Sequence, residues 1–290
     1  MIAASTLGPS PAAIRLRCPS SELALARRSR AVPSDLGGPA YTSAIVGDTA
    51  ILRVRRFAGD DADLAKLEEL PADYAKHRRA RRIVFDVRSN GGGDDSTLFK
   101  WIFQAAAGPW NQGVTVDFSA GVGPCRDWNA LVVGQLVSGE IDGVDAIAER
   151  DAALATLTAT ASDEVLEVDA GLREGRAERP FAGPIFVLVD RGTASSGESV
   201  PQYLRLALGA RVIGERSAGF VDFGNVVPFV LPRTGLWVQV PTTRFFSGRS
   251  AEMVGLEVDT YLDAELMGQP AEALLPVIDA IEAAGAGPRR

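Results

Sequence analysis

The sequence is poor in the residues that form zinc sites and disulfide bonds. Its 290 residues include one histidine and two cysteines, and Cys18 and Cys125 lie far apart without a C-x-x-C pair. A structural zinc site or a disulfide framework needs several such residues at short spacings. We therefore expect no metal. We also expect no cofactor, because the run Asn-Gly-Gly-Gly at 90–93 lacks the lysine and the spacing of a phosphate-binding loop.

Long apolar runs and an excess of basic charge are absent as well. No apolar run approaches the roughly 18 residues that cross a bilayer, and residues 1–13 lack the basic start and the apolar stretch of a secretory signal. We therefore predict a cytoplasmic protein that binds no membrane. The 30 lysines and arginines against 37 aspartates and glutamates give a net charge of −7, which opposes binding to nucleic acid. The composition leaves open whether the chain forms an oligomer.

The composition is that of an ordinary globular chain, with 46% apolar and 23% charged residues. Its clearest pattern is a repeated unit of apolar strand, small-residue loop and helix. The strand at 83–87 precedes Ser89-Asn-Gly-Gly-Gly93, and the strand at 185–189 precedes Gly192-Thr-Ala-Ser-Ser-Gly-Glu198. The alternation predicts an α/β fold with parallel strands. The helices of the two units are predicted over 96–107 and 199–208.

The rest of the chain is less regular. We predict an N-terminal arm or hairpin, a core, and a C-terminal helix with a tail, at 1–44, 45–265 and 266–290. Residues 108–179 lose the strand–helix alternation, and their Ala-rich part at 144–161 is typical of helix. We interpret 108–179 as an inserted helical subdomain or lid. At the start of the core, the apolar spacing predicts one strand over 45–57 and one helix over 61–76.

Ser195 lies in the loop of the second unit, at a sharp passage from strand to helix among small neighbours. Such a turn exposes a serine hydroxyl as a nucleophile, and the amide of Ser196 at the helix N-terminus can donate to an oxyanion. The same residues, Ser195-Ser-Gly-Glu198, also fit the S-x-x-E capping box, in which the serine only closes the helix end. The glycines at 91–93 permit close approach to a ligand but also occur in plain turns. The local pattern leaves both interpretations open.

Taken together and in order, these segments resemble the catalytic domain of the C-terminal-processing (tail-specific) serine proteases. The resemblance covers about 45–262 and rests on IVFDVRSNGGG, IFVLVDRGTASSGES, VIGERSAG, FGNVVPFVLPRTGLWVQVPTTR and EMVGLEVD. It implies a crotonase-like or ClpP-like α/β core of repeated β-β-α units. It also implies Ser195 as the nucleophile, with the amide of Ser196 and that of Gly91 or Gly92 as oxyanion donors.

The base that activates the serine in this family is not evident here. The best-known members use a lysine downstream of the serine, and the matching position holds Phe220. A serine–lysine dyad of that kind is excluded, because the chain has three lysines and all of them precede Ser195: Lys66, Lys76 and Lys100.

The tricorn-like branch of the family suggests a different base. That branch uses a histidine in the first core strand and a glutamate near a C-terminal signature. The resemblance assigns the glutamate to Glu252, but Arg53 stands where the histidine would be. The lone histidine, His77, precedes the strand at 83–87, which puts it about 20 Å from the glycine loop if the strand is straight, and we predict a solvated helix-end residue. The remaining candidate bases are carboxylates: Glu252, Asp222 and Glu198.

The resemblance also suggests how a substrate is bound. Phe220, Asp222 and Asn225 lie beside the missing lysine and are predicted to orient a substrate or a water molecule. No PDZ-type module is evident, which favours a small peptide or an acyl metabolite as substrate. The leading hypothesis is a serine hydrolase or peptidase-like enzyme acting through Ser195. The alternatives are a catalytically silent relative that binds peptides, a specialised acyl-transfer or cyclisation enzyme, and a crotonase-like enzyme in which Glu252 moves a proton.

Overall fold

Strands and helices alternate along the chain. The computed structural model describes residues 13–18, 21–26, 37–111, 115–119, 155, 165–169, 172–174, 177–230, 233, 235, 237–246 and 250–285. Its strands are β1 (Ala13–Cys18), β2 (Ser21–Ala26), β3 (Tyr41–Val46), β4 (Thr49–Val54), β5 (Arg82–Asp86), β6 (Pro109–Asn111), β7 (Thr115–Ser119), β8 (Val165–Asp169), β9 (Leu172–Glu174), β10 (Ile185–Val189), β11 (Arg211–Gly214), β12 (Phe223–Val230), β13 (Trp237–Phe246) and β14 (Thr260–Tyr261). Its helices are α1 (Asp61–Ala72), α2 (Tyr74–His77), α3 (Ser96–Ala105), α4 (Ser196–Leu208), α5 (Ala264–Met267), a 3₁₀ helix (Ala271–Leu274) and α6 (Leu275–Gly285). Within these described helices, none has both the length and the apolar character needed to cross a membrane.

Six strands form the central sheet, in the order β14-β11-β10-β5-β4-β3. Every neighbouring pair is parallel except β3 with β4, which makes β3 an antiparallel edge strand. The predicted α/β class is confirmed as a mixed α/β fold with a mostly parallel sheet. Because β5 and β10 are parallel neighbours, with Phe85 opposite Val187, the loops that follow them leave the same edge of the sheet.

Helices cover both faces of this sheet, which explains why its middle strands are apolar throughout. Successive residues of a strand point to opposite faces, so both sets must be apolar when both faces are covered. One face packs against α1, α3 and α4, where Trp101 lies edge-on to Phe85 with ring centroids 4.9 Å apart. The other face packs against the 3₁₀ helix and α6, and its core includes Val84, Leu188 and Ile278.

A second sheet contains part of the predicted insert. Its four strands pair antiparallel in the order β12-β13-β7-β8, and β6 pairs separately with β9. The strands β6 to β9 all fall within 108–179. Apart from residue 155, the stretch predicted as helix at 144–161 lies outside the described residues, so the helical lid stays a prediction.

The N-terminal residues form a separate compact unit. In it, β1 and β2 pair as an antiparallel hairpin, from Ala13 opposite Ala26 to Cys18 opposite Ser21. The two compact units of the chain divide between Gly37 and Gly38. The first strand of the central sheet, β3, begins at Tyr41.

Two local predictions are wrong. The single strand predicted over 45–57 is the antiparallel pair β3 and β4, which is joined at Gly47 and Asp48. Gly47 has a φ of 60°, and a two-residue loop with such a glycine reverses the chain. The single helix predicted over 61–76 ends at Ala72, and the short helix α2 begins after Asp73. Pro71 lies inside the first helix, one residue before its end.

Candidate active site

Two loops leave the central sheet side by side: the glycine loop (Ser89–Gly93) after β5 and the serine loop (Asp190–Ser195) after β10. Asp190 Oδ1 accepts the N–H of Ser89 at 2.7 Å and that of Gly192 at 2.9 Å. Thr193 Oγ1 donates to the carbonyl of Val87 at 2.9 Å. These bonds fix the two loops to each other.

Asn90 is fully buried and connects the glycine loop to its neighbours. Its side-chain Nδ2 donates to the carbonyl of Val54 in β4 at 3.0 Å, and its backbone carbonyl accepts the N–H of Ala194 at 2.8 Å. Helix α4 approaches so closely that a methyl group on Gly197 would lie 2.3 Å from the Asn90 carbonyl oxygen. The first turn of α4 is therefore held directly against the glycine loop.

Ser195 immediately precedes α4 and has a backbone conformation that glycine favours, with φ 53° and ψ −130°. A non-glycine residue at positive φ is strained, and strain of this kind clusters at active sites. A methyl group on Gly92 would lie 2.7 Å from Ser195 Cβ and 3.0 Å from both Ser195 Oγ and Ser196 N. Gly92 therefore leaves open a space beside the hydroxyl that any larger residue would fill.

The three predicted oxyanion donors differ in their hydrogen bonding. Within the described part of the chain, the N–H of Ser196 has no acceptor, and it lies at the N-terminus of α4, where the helix dipole favours negative charge. The N–H of Gly92 donates to Asn90 Oδ1 at 2.8 Å. Gly91 is exposed, and its N–H also has no acceptor among the residues described.

Glu198, the last residue of the capping-box pattern, is fully buried and accepts four hydrogen bonds. Its Oε2 accepts the N–H of Ser195 at 3.1 Å and that of Phe220 at 2.8 Å. Its Oε1 accepts the hydroxyl of Ser217 at 2.5 Å and the N–H of Gly219 at 3.0 Å. The bond from Ser195 is the glutamate half of a capping box, so helix capping and presentation of the serine are compatible. Because four hydrogen bonds hold its two oxygens, Glu198 is suited to fix the position of the serine loop.

Glu252 and Asp222 bind each other's backbone. Glu252 Oε2 accepts the N–H of Asp222 at 3.1 Å and that of Val221 at 3.2 Å. Asp222 Oδ2 accepts the N–H of Glu252 at 3.3 Å and the hydroxyl of Ser250. In the described residues, no hydrogen bond joins either carboxylate to Ser195.

The other two predicted substrate-binding residues lie in the same region. Phe220 has a 52% exposed side chain, and its backbone is bound to Glu198. Asn225 belongs to β12, and its side chain lies outside the described residues.

His77 is fully buried, so the prediction of a solvated helix end is wrong. Its Nε2 lies 3.5 Å from the hydroxyl of Tyr41 and 3.7 Å from Asp73 Oδ2. Burial lowers the pKa of His77 to about 4, against the opposing effect of the Asp73 charge. The histidine is buried because Tyr41, in a strand of the sheet, packs beside the end of α2.

The side chains of Arg53 and of the three lysines contact acceptors outside the serine loop. Arg53 contacts Glu272 and lies 3.8 Å from Asp86, on the face of the sheet opposite α3 and α4. The three lysines bind acceptors outside both loops: Lys66 binds Glu69, Lys76 binds Ser43 and Lys100 binds Glu68.

Asp95 is a residue that the sequence analysis missed. It lies two residues after the glycine loop, and its carboxylate is beside the hydroxyls of Ser199 and Ser196 in the first turn of α4. Burial raises the pKa of Asp95 to about 6, and the charge of Asp94 adds to this effect, whereas the two hydroxyls oppose it. The signal in the sequence was a pair of aspartates between a glycine run and a helix. No group of three or more potential metal ligands occurs among the described residues.

Comparison with known proteins covers most of the chain. The sequence model of peptidase family S41 matches residues 48–262. No curated protein is significantly similar in sequence. The solved structure of mature CPAF complexed with lactacystin aligns with a TM-score of 0.59 and 15% identity, over 93% of this chain and 67% of that one. Mature CPAF alone aligns with a TM-score of 0.58 and 16% identity, over 91% of this chain and 65% of that one. The photosystem II D1 C-terminal processing protease aligns with a TM-score of 0.46 and 17% identity, over 89% of this chain and 55% of that one. The chain thus spans about two thirds or less of these proteins, and the likeness concerns the fold.

Proposed function

This chain belongs to peptidase family S41, a family of serine peptidases, and we propose that it hydrolyses peptide bonds with Ser195 as its nucleophile. The observation that carries the proposal is the position of Ser195 beside Gly92 and the N–H of Ser196. Acyl transfer needs an attacking oxygen and a hydrogen-bond donor that both lie within about 3 Å of one reacting group. The strained backbone of Ser195 supports the same role.

In the proposed reaction, Ser195 Oγ attacks the carbonyl carbon of the scissile bond and loses its proton. The carbonyl oxygen becomes an oxyanion, which accepts the N–H of Ser196 and is stabilised by the dipole of α4. The second donor is Gly91 or Gly92. Gly92 can donate to the oxyanion and to Asn90 Oδ1 together as a three-centre bond. The leaving amine takes a proton, and water then hydrolyses the acyl-enzyme.

We assign the uptake of the serine proton to Asp95. General base catalysis works best when the pKa of the base lies near the working pH, and the pKa of Asp95 is raised to about 6. Asp95 is beside the hydroxyl of Ser196, the next residue after the nucleophile, and that hydroxyl donates to the carbonyl of Gly93 at 2.7 Å. In the proposed mechanism a water molecule carries the proton from Ser195 to Asp95. Glu252, which the family resemblance suggests, is the alternative, although two backbone N–H groups already bind its Oε2.

The family also suggests finer features, which we include in the proposal. We propose a core of the crotonase-like or ClpP-like type, and the recurrence of a strand, a loop and a helix in β5 with α3 and in β10 with α4 supports this type. The substrate is a peptide, and the net charge of −7 disfavours nucleic acid as a partner.

One observation favours a second candidate, a silent relative that binds peptides without cleaving them. The usual nitrogen bases are not at the serine loop, since the lysines have partners elsewhere and His77 is buried beside Tyr41. If Asp95 and Glu252 do not activate Ser195, the same site binds a peptide and leaves it intact.

Labelling with a fluorophosphonate, followed by intact-mass measurement, separates the two candidates. The full chain is compared with Ser195→Ala and with Ser96→Ala, a control serine at the start of the neighbouring helix α3. The proposal predicts one adduct per chain in the wild type and in Ser96→Ala, and none in Ser195→Ala. Circular dichroism confirms that each variant is folded. A folded wild type that takes up no label would favour the silent relative.

A further inference from the structure

Three large apolar residues are exposed in two segments of the chain, one of which is joined through Glu198 to the backbone of the proposed nucleophile. Met253 is 79% exposed, Val254 is 60% exposed and Phe220 is 52% exposed. We call these three residues the apolar platform. Scattered single apolar residues on a surface are ordinary, but a group of large ones marks a binding surface.

The backbone joins the two segments of the platform. The N–H of Met253 donates to the carbonyl of Gly219 at 2.7 Å, and that carbonyl belongs to the peptide unit that leads to Phe220. Gly219 has a φ of 78°, and a methyl group on it would lie 2.8 Å from the N atom of Val254. The backbones of the two segments are therefore in direct contact next to the three apolar residues.

Glu198 places the Phe220 end of this platform next to Ser195. Its Oε2 accepts the N–H of Phe220 at 2.8 Å and the N–H of Ser195 at 3.1 Å. Two nitrogens bound to one oxygen at these distances lie within about 6 Å of each other. Because Glu198 is fully buried and bonded on both oxygens, this spacing is fixed by the fold.

The backbone conformation of Met253 indicates that the platform has a functional role. Its φ of 61° lies in the left-handed region, where glycine or asparagine would be less strained. The residue is 79% exposed, so packing compensates little of the strain. A strained residue that also exposes a large apolar side chain points to a role in binding.

We propose that the apolar platform binds a large apolar side chain next to the scissile bond, so that the enzyme selects peptides with leucine, methionine or phenylalanine there. The proposal rests on the proposed function, because it uses the distance to Ser195. A flexible methionine beside an aromatic ring adapts to several apolar shapes. The neighbouring carboxylates of Glu252 and Asp222 disfavour an acidic side chain at the same place.

The test is a synthetic peptide library of mixed sequence, digested by the full chain, with cleaved bonds identified by mass spectrometry. We expect large apolar residues to be enriched on one side of the cleaved bonds. For a matched pair of peptides with leucine or alanine at that position, kcat/KM should favour leucine by at least about tenfold. A library cleaved without apolar preference would overturn the proposal.

Three variants connect the preference to the platform. Met253→Asn removes the apolar side chain but tolerates the left-handed backbone, and Phe220→Ser keeps the N–H that binds Glu198. Each should lower the leucine-to-alanine ratio of kcat/KM several-fold toward one. Leu64→Gln, which changes a 47% exposed leucine on α1, should keep the wild-type ratio. An unchanged ratio in both platform variants would contradict the proposal.

A binding measurement tests the platform proposal separately from the proposed peptidase function. If no peptide is cleaved, fluorescence anisotropy of the labelled leucine and alanine peptides is measured with the full-chain Ser195→Ala protein. Tighter binding of the leucine peptide that Met253→Asn abolishes would support the platform although the peptidase function fails. Equal affinities would overturn it. Light scattering that shows wild-type dimers and Met253→Asn monomers would assign the platform to self-association and would also overturn it.

Discussion

Ser195 and Phe220 donate their backbone N–H groups to the same atom, Oε2 of Glu198, at 3.1 Å and 2.8 Å. One buried carboxylate therefore connects the residue proposed as nucleophile to the segment that carries the apolar platform. This segment is joined in turn to the 250–256 segment by the reciprocal bonds of Asp222 and Glu252. The site is thus assembled in part by carboxylates that accept hydrogen bonds from backbone N–H groups.

The first prediction concerns Glu198→Gln. The amide of glutamine has a single acceptor oxygen, and its NH₂ group would face N–H donors that now bind a carboxylate oxygen. We expect the free energy of unfolding to fall by about 2–3 kcal/mol, and the rate of fluorophosphonate labelling to fall at least about tenfold. Urea unfolding and timed intact-mass measurements check the two effects. Glu68→Gln, at an exposed pair with Lys100, serves as control and should cost less than about 0.5 kcal/mol. If Glu198→Gln were as stable as the wild type, the hydrogen bonds to the Glu198 carboxylate would not be needed for stability.

The second prediction compares two glycines with positive φ. Gly92 has a φ of 100° and faces Ser195, whereas Gly47 has a φ of 60° and has no atom near its potential side chain. Alanine at either position costs about 1–2 kcal/mol of backbone strain. We expect only Gly92→Ala to block labelling of Ser195, by about 100-fold or more, because its methyl group would occupy the space beside the hydroxyl. Labelling of Gly92→Ala at the rate of Gly47→Ala would mean that this space is not where the reacting group binds.

Much of the fold could be predicted from the sequence, because its signals are local. The apolar strands β5 and β10, the small-residue loops that follow them and the start of α3 are each encoded within about ten consecutive residues. The parallel arrangement then follows from the alternation of strands and helices. The turn at Gly47 was missed because the alternating pattern continues through it on both sides.

The site could be predicted only in part, since its chemistry depends on contacts between distant segments. His77 is buried by Tyr41, which is 36 residues away. The raised pKa of Asp95 depends on packing against the first turn of α4, which lies in the other strand–loop–helix unit. Of the four bonds that Glu198 accepts, the capping-box motif specifies only the one from Ser195. The bonds from Ser217, Gly219 and Phe220, and those that Glu252 accepts, come from distant segments that no local motif specifies.

The third prediction is a loss of stability in acid caused by His77. Its pKa is about 4 in the folded state, below the usual value of 6.5, so the unfolded chain binds more protons between these values. The free energy of unfolding should therefore be highest above about pH 6.5 and fall by up to about 3 kcal/mol as the pH decreases to about 4. In His77→Gln this contribution disappears, so the free energy of unfolding should fall less between pH 7 and pH 4.5 than in the wild type. Urea unfolding at the two pH values measures the difference. Equal falls in the two proteins would show that folding does not lower the pKa of His77.

The fourth prediction concerns Asp95→Asn, which should lower activity and raise stability. The pKa of Asp95 is raised from 3.8 to about 6 in the folded state, so the folded chain binds more protons between these values and loses stability as the pH rises through them. Asparagine avoids this cost, and the variant should be more stable than wild type by about 1–2 kcal/mol at neutral pH, with the difference vanishing near pH 4.

The labelling rate of Ser195 tests the proposed role of Asp95 as the proton acceptor. In the wild type the rate should rise with pH through an inflection near 6. Asp95→Asn should lose the inflection and react at least about 100-fold more slowly at neutral pH. Asp94→Asn should keep the inflection but move it to lower pH, because it removes the neighbouring negative charge that raises the pKa of Asp95. A carboxylate that served only to hold α4 would give the opposite pattern, in which Asp95→Asn is less stable than wild type and still reacts with the same inflection.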